Sequence, residues 1–195
     1  MNLKSAVIAA AVGTTLAASL SAQAAEPTPS QAKHDRWELL VPSGALMPTG
    51  QQRDAIRSGN LSAVQLTYVV RPAVAITSMF GWARSRDVAT SGSPKLDVFT
   101  YDVGAELRAP GSKKGITTFA GAGVGGRSYN HRKLDADATH NLSAYASAGG
   151  EFGIRRLRVR IEARDYVSGF KSLAGGGESR TGNDVVVMAG LRWTR

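Results

Sequence analysis

Three sets of residues in this 195-residue chain have types and spacings that could do chemistry. The first is a histidine–serine pair: His140 and Ser143 stand three positions apart in "HNLS". A hydroxyl nucleophile needs its base within hydrogen-bond reach. In an extended chain an odd spacing sends two side chains to opposite faces, so the pair is not read as catalytic. No G-x-S-x-G occurs either. The second set is "GAGVGG", residues 121–126, which formally matches G-x-G-x-x-G. A dinucleotide site needs a helix opening at the glycines and an acid about twenty residues later. Arg127, Ser128, Tyr129 and a polar loop follow instead, so the glycines are read as making room for long Arg and Glu side chains.

The third set is ionic: Asp102, Glu106, Glu151 and Glu162 against Arg158, Arg160, Arg164 and Arg192. Asp102 and Glu106 could act as an acid–base pair. With so many guanidiniums in the same chain, an ion-pair network is the reading. His131 and His140 share a polar stretch with Asp135 and Asp137, but their spacing fits no zinc pattern, and they are read as solvated loop residues. No catalytic, cofactor-binding or metal-binding residue is assigned.

What positions the ionic set is strict alternation. In "RRLRVRIEARDY", residues 155–166, Arg156, Arg158, Arg160, Glu162 and Arg164 alternate with Leu157, Val159, Ile161 and Ala163. Successive side chains of a strand point to opposite faces, so one face is oily and the other charged. A soluble sheet would turn the charges to water. A membrane barrel would turn the oily face to lipid and the charges inward.

The rest of the chain favours the barrel. Residues 1–24 have a basic start at Lys4, an apolar run and an Ala22-Gln23-Ala24 cleavage site, the pattern of a secretory signal peptide. Residues 25–35 read as a short polar periplasmic tail. Cysteine is absent, so disulfides do not stabilise the exported chain. The net charge of +9 would suit nucleic acid, which an exported protein rarely meets. Anionic lipid headgroups and lipopolysaccharide phosphate are the expected counter-charges. Beyond the signal no run is long and apolar enough for a spanning helix, so residence in a membrane requires a closed barrel.

Residues 36–195 divide into eight alternating segments: 36–48, 60–70, 74–85, 97–108, 116–129, 140–152, 155–166 and 184–194. The connections after the second, fourth and sixth are short. Those after the first, third, fifth and seventh are longer and rich in Gly, Ser, Asp and Asn, the last being "SGFKSLAGGGESRTGN". Short turns at one end, long loops at the other and an even strand count define an outer-membrane barrel. In one register stand Val64, Leu66, Ile76, Phe80, Val103 and Ile161. Trp37, Tyr68, Trp82, Phe99, Tyr101 and Trp193 lie near segment ends, where interfacial girdles belong. The ionic set occupies the opposite register. A base placed on the lipid face at mid-depth would cost about 2–4 kcal/mol. Inside an eight-stranded barrel, just wide enough for side chains to fill, the four acids and four bases can neutralise one another. The loops are mildly basic, through Arg53, Arg57, Arg84, Arg86, Lys95, Arg127, Arg132 and Lys133.

On the strands "FAGAGVGG", "MFGWARSR" and "MAGLRWTR", the chain resembles the small eight-stranded outer-membrane β-barrels, the OmpA/OmpX-like group, over residues 36–195. The resemblance implies an all-β, antiparallel up-and-down transmembrane barrel in a Gram-negative outer membrane. It also implies a terminal aromatic recognised by the barrel-assembly machinery, here Trp193, followed by Thr194 and Arg195. The peptidoglycan-binding domain of longer members is not expected, and a monomer is. Barrel enzymes that deacylate lipid A use an H-x-S pair, which "HNLS" exceeds by one residue. The expected function is structural or surface-interacting, with a plugged interior and no catalysis. The alternatives are a lipid-A-modifying enzyme and a narrow transporter of small solutes.

Overall fold

A computed structural model describes residues 36–109, 115–132, 138–154, 157–171 and 179–194. The signal peptide and the tail read at 25–35 lie outside them. Each alternating segment forms a strand: β1 (Trp37–Thr49), β2 (Gly59–Arg71), β3 (Val74–Arg86), β4 (Lys95–Arg108), β5 (Ile116–His131), β6 (Thr139–Ile154), β7 (Leu157–Lys171) and β8 (Ser179–Thr194). Each pairs antiparallel with the next, and β8 returns to pair with β1 from Glu38↔Thr194 to Thr49↔Asn183. The barrel therefore has no free edge, which is what hydrocarbon demands of a sheet. No described helix is long and apolar enough to cross a membrane.

The outward register supplies Val41, Val64, Ile76, Val103, Val124, Leu142, Ile161 and Leu191, one from each strand, all exposed. An exposed apolar belt that runs through all eight strands is a surface that water-soluble monomers rarely present. It is bounded by aromatic rings. Trp37 packs on Tyr68 with centroids 4.9 Å apart at one end, and Phe99 stacks on Trp82 at 6.5 Å toward the other. Asp165 departs from the apolar wall: it is an exposed carboxylate in the outward row of β7.

At the end bearing the described chain's first strand residues, β2–β3, β4–β5 and β6–β7 are joined across residues 72–73, 109–115 and 155–156. The opposite, loop end carries residues 50–58, 87–94, 132–138 and 172–178. The contrast in length is softer than the sequence implied. Much of "SGFKSLAGGGESRTGN" is strand, paired as Ser168↔Gly182 and Gly169↔Thr181. Small polar residues carry no period-two signal, yet their backbones continue the ladder, with Ser168 and Gly182 buried on the inward face. The 50–58 connection is also structured. A 3₁₀ helix, Gly50–Asp54, starts from a left-handed Gly50 (φ 58°), and Ile56 bridges to Asp87.

The lumen is not uniformly ionic. Leu46, Leu61, Met79, Ala83, Leu96 and Val98 from β1–β4 meet Val186 and Met188 of β8, and Ile56 packs with them from the folded connection. This apolar plug fills part of the loop-end half. The charges lie beside it and below it.

Candidate functional site in the barrel lumen

Inward-facing positions of β4, β6, β7 and β8 carry the ionic set. The structure places Asp102, Glu106, Glu151, Arg160, Glu162, Arg164 and Arg192 together in the lumen, all buried. Arg158 stands apart at the rim. It is 25% exposed, its nearest carboxylate is Glu151 at 3.9 Å, and it donates to Thr117 Oγ1 at 3.3 Å.

Parity along each strand brings further members inside. Glu38 of β1 and Arg108 of β4 complete a closed ring of alternating charge near the short-turn end. Arg108 forks onto Glu38 through Nη1 (3.0 Å) and Nη2 (2.7 Å), and its Nε donates to Glu106 at 2.7 Å. Arg160 joins Glu106 (2.5 Å) to Glu151 (2.8 Å). Arg192 then links Glu151 back to Glu38, the latter contact at 3.1 Å. Three carboxylates and three guanidiniums thus circle the lumen, and bidentate forks of this kind fix geometry as well as charge.

From Arg160 the network climbs the axis. Glu162 sits between Arg160 (2.7 Å) and Arg164 (2.6 Å). Arg164 reaches Asp102 at 3.2 Å and Gln65 Oε1 at 2.5 Å, and the Tyr166 hydroxyl donates to Asp102 at 2.6 Å. Above them Arg127 pairs with Asp184, and its guanidinium lies 4.2 Å over the Tyr166 ring. Gln52 of the 3₁₀ helix donates to Tyr129 (3.1 Å) and Asp184 (3.3 Å), closing the column from the loop side. Many ties cross between strands three apart in the barrel order: β1 to β4, β4 to β7, β2 to β7, and β5 to β8. In a low-dielectric interior a lone charge is prohibitive, and pairing with satisfied hydrogen bonds is what permits it.

Several positions differ from the sequence reading. Arg127, taken as a loop cation, is fully buried in β5. His131 is likewise at the end of β5, buried, with Nε2 3.0 Å from Asp87 Oδ2. The glycines of β5 chiefly accommodate Tyr145, Asp102 and Ser147 where long Arg and Glu chains were expected. Tyr145, Gly123, Gly104 and Thr77 form one cross-strand row, in which the tyrosine lies over both glycines and its hydroxyl meets Thr77 Oγ1 at 3.4 Å. No helix opens at these glycines. Glu38, Gln65, Arg108, Tyr166 and Asp184 were missed, although each follows from carrying the inward parity along the whole of its strand.

His140 is exposed on the outward face of β6, whereas Ser143 is buried on the inward face. Trp193 is the next-to-last residue of β8, where its backbone pairs with Leu39 and Leu157. Among the described residues, no group of three or more acidic or histidine side chains is arranged to hold a metal.

An all-antiparallel closed barrel of eight strands, apolar outside and charge-paired inside, has the fold of a small outer-membrane β-barrel. Known structures agree. Neisserial surface protein A superposes with a TM-score of 0.65 at 9% identity, covering 84% of this chain and 100% of that one. The N-terminal β-barrel domain of Pseudomonas aeruginosa OprF gives 0.51 at 12% identity, covering 83% and 100%. No protein-family model and no curated protein sequence matches the chain.

Proposed function

We propose that this protein is a monomeric structural or surface-interaction barrel of a Gram-negative outer membrane, with a plugged lumen and no catalytic role. The observation that carries the reading is the closed ring Glu38–Arg108–Glu106–Arg160–Glu151–Arg192. A conducting pore needs a continuous water-filled path, and side chains that neutralise each other across the lumen occupy the place of that path. The fold alone hosts several functions, so the absence of catalysis is argued from the site: His140 and Ser143 face opposite sides of the wall. In this reading the long loops face outward, the short turns face the periplasm, and Trp193 is the handle for the assembly machinery.

Single-channel recording on the refolded protein in planar bilayers tests the plug. No steady conductance is expected, and large sustained openings would overturn it. Mass spectrometry of lipid A from cells with and without the protein tests the absence of catalysis. Identical acylation is expected, and a changed acyl pattern would make the protein an enzyme.

A further inference from the structure

Outside the lumen, a cleft of about 370 Å³ opens at the loop end of the wall, lined by Arg57, Arg84, Arg86, Lys95 and Arg132. Asp97 is the single acid among its lining residues. That carboxylate is already engaged, accepting from Arg132 Nε at 2.6 Å and from the Trp82 indole at 3.1 Å. Among the described residues, no carboxylate forms an ion pair with Arg57, Arg84, Arg86 or Lys95. Arg86 and Lys95 are direct cross-strand partners, an arrangement in which like charges destabilise a sheet. The backbone nevertheless holds them there. Arg57 N bonds to Arg86 O at 3.0 Å, and Ser85 Oγ donates to the Arg57 carbonyl. Positive charge concentrated this way is unfavourable in the empty molecule and becomes favourable once an anion enters it.

The register says which anion. Arg84, Arg86, Lys95 and Arg132 continue the outward rows of β3, β4 and β5, the same rows that present Phe80, Tyr101 and Val124 to hydrocarbon. Phe80, Phe99 and Trp82 form a column of stacked rings with centroid steps of 6.2 and 6.5 Å, and Arg84 lies 4.2 Å over Trp82 at its top. Two residues of strand put Arg84 about 7 Å beyond Trp82 along the chain. The cleft therefore sits at headgroup depth on the lipid side of the wall. A ligand there must carry its anionic groups at the boundary and its acyl chains along the aromatic column. Guanidinium forks match phosphate, and five cations to one acid favour a headgroup with more than one phosphate over a zwitterion.

We propose that this cleft binds the phosphates of a diphosphorylated glycolipid, the lipid A of lipopolysaccharide, in the outer leaflet. The inference rests on the transmembrane reading above. The test is native mass spectrometry of the full folded chain in micelles, titrated in parallel with diphosphoryl lipid A, monophosphoryl lipid A, phosphatidylethanolamine and inorganic phosphate. Binding should weaken on the order of tenfold or more when phosphate contacts are lost, from the diphosphoryl to the monophosphoryl form. The combined Arg84→Ala, Arg86→Ala, Lys95→Ala variant should lose that preference, while Arg71→Ala at the opposite end should keep it. Equal binding of the two lipid A forms and phosphatidylethanolamine overturns the proposal, as does an unaltered preference in the triple variant. Competition by inorganic phosphate at equimolar concentration would make the cleft a free-anion site and overturn the lipid assignment. The lipid series uses the unmodified protein, so a misfolded variant does not blunt the test. A conducting barrel would overturn the plug alone, whereas a silent barrel indifferent to phosphate would overturn this proposal alone.

Discussion

At the scale of single residues, Arg158 and Arg160, two positions apart on the inward row of β7, make a controlled comparison. Arg160 is buried among Glu106, Glu151 and Glu162, whereas Arg158 reaches Glu151 only at 3.9 Å from a partly wet rim. Removing one partner of a buried ion pair leaves an uncompensated charge. Arg160→Ala should therefore cost about 3–5 kcal/mol, and Arg158→Ala less than about 1 kcal/mol. Urea unfolding of the barrels in lipid vesicles, followed by the mobility difference between folded and unfolded protein on gels, reads both. Equal losses would mean that burial does not govern these charges. The inward position of Arg160 was legible from the sequence because Leu157, Val159 and Ile161 fix the parity of β7. The same parity extends to Glu38, Arg108, Arg127 and Asp184. Glu38 and Arg108 escaped because they sit near strand ends, and Arg127 and Asp184 because their strands run on past them through residues whose composition looks like loop. Which acid meets which base was not legible at all, since that depends on how strands three apart face each other across the lumen.

At the scale of elements, β5 and β6 show why a glycine-rich strand persists in a barrel that weak strand propensity would otherwise loosen. The Tyr145 ring covers Gly123 and Gly104, so the missing side chains of two strands are replaced by one side chain from a third. A Cβ at position 123 would meet that ring and the Val103 carbonyl. Gly123→Ala should cost about 1–3 kcal/mol through overpacking, and Tyr145→Ala about 3–5 kcal/mol through the void it leaves. Because the two residues touch, the double variant should lose less than the sum of the singles. Additive losses in the same unfolding assay would show that the ring does not lie on the glycine. The glycines themselves were conspicuous in the sequence, but not what fills them: Tyr145 is one aromatic among several, and only the cross-strand register sets it opposite Gly123. The 50–58 connection was also opaque, because Gln52 and Ile56 gain meaning only once the barrel mouth beneath them exists.

For the whole molecule, alternation and charge parity were enough to read eight strands and a lipid-facing exterior, since both follow from the period of two and the cost of unpaired charge in hydrocarbon. The apolar plug was not read, because β1–β3 carry oily residues in both registers. Leu46, Leu61 and Met79 face inward as surely as Val64 and Ile76 face outward, and hydrophobicity alone does not separate a lumen from a bilayer. The ionic ring has a bearing on how such a cylinder comes to exist. Glu38 belongs to the first strand and Arg192 to the last, and Arg192 reaches both Glu38 and Glu151. An unzipped ribbon cannot hold the Glu38–Arg192 contact, so during insertion these two groups must keep their hydration until the final seam forms. Dehydration and seam formation become a single late event, and a chain arrested before its eighth strand arrives should linger wet, open and readily digested by protease.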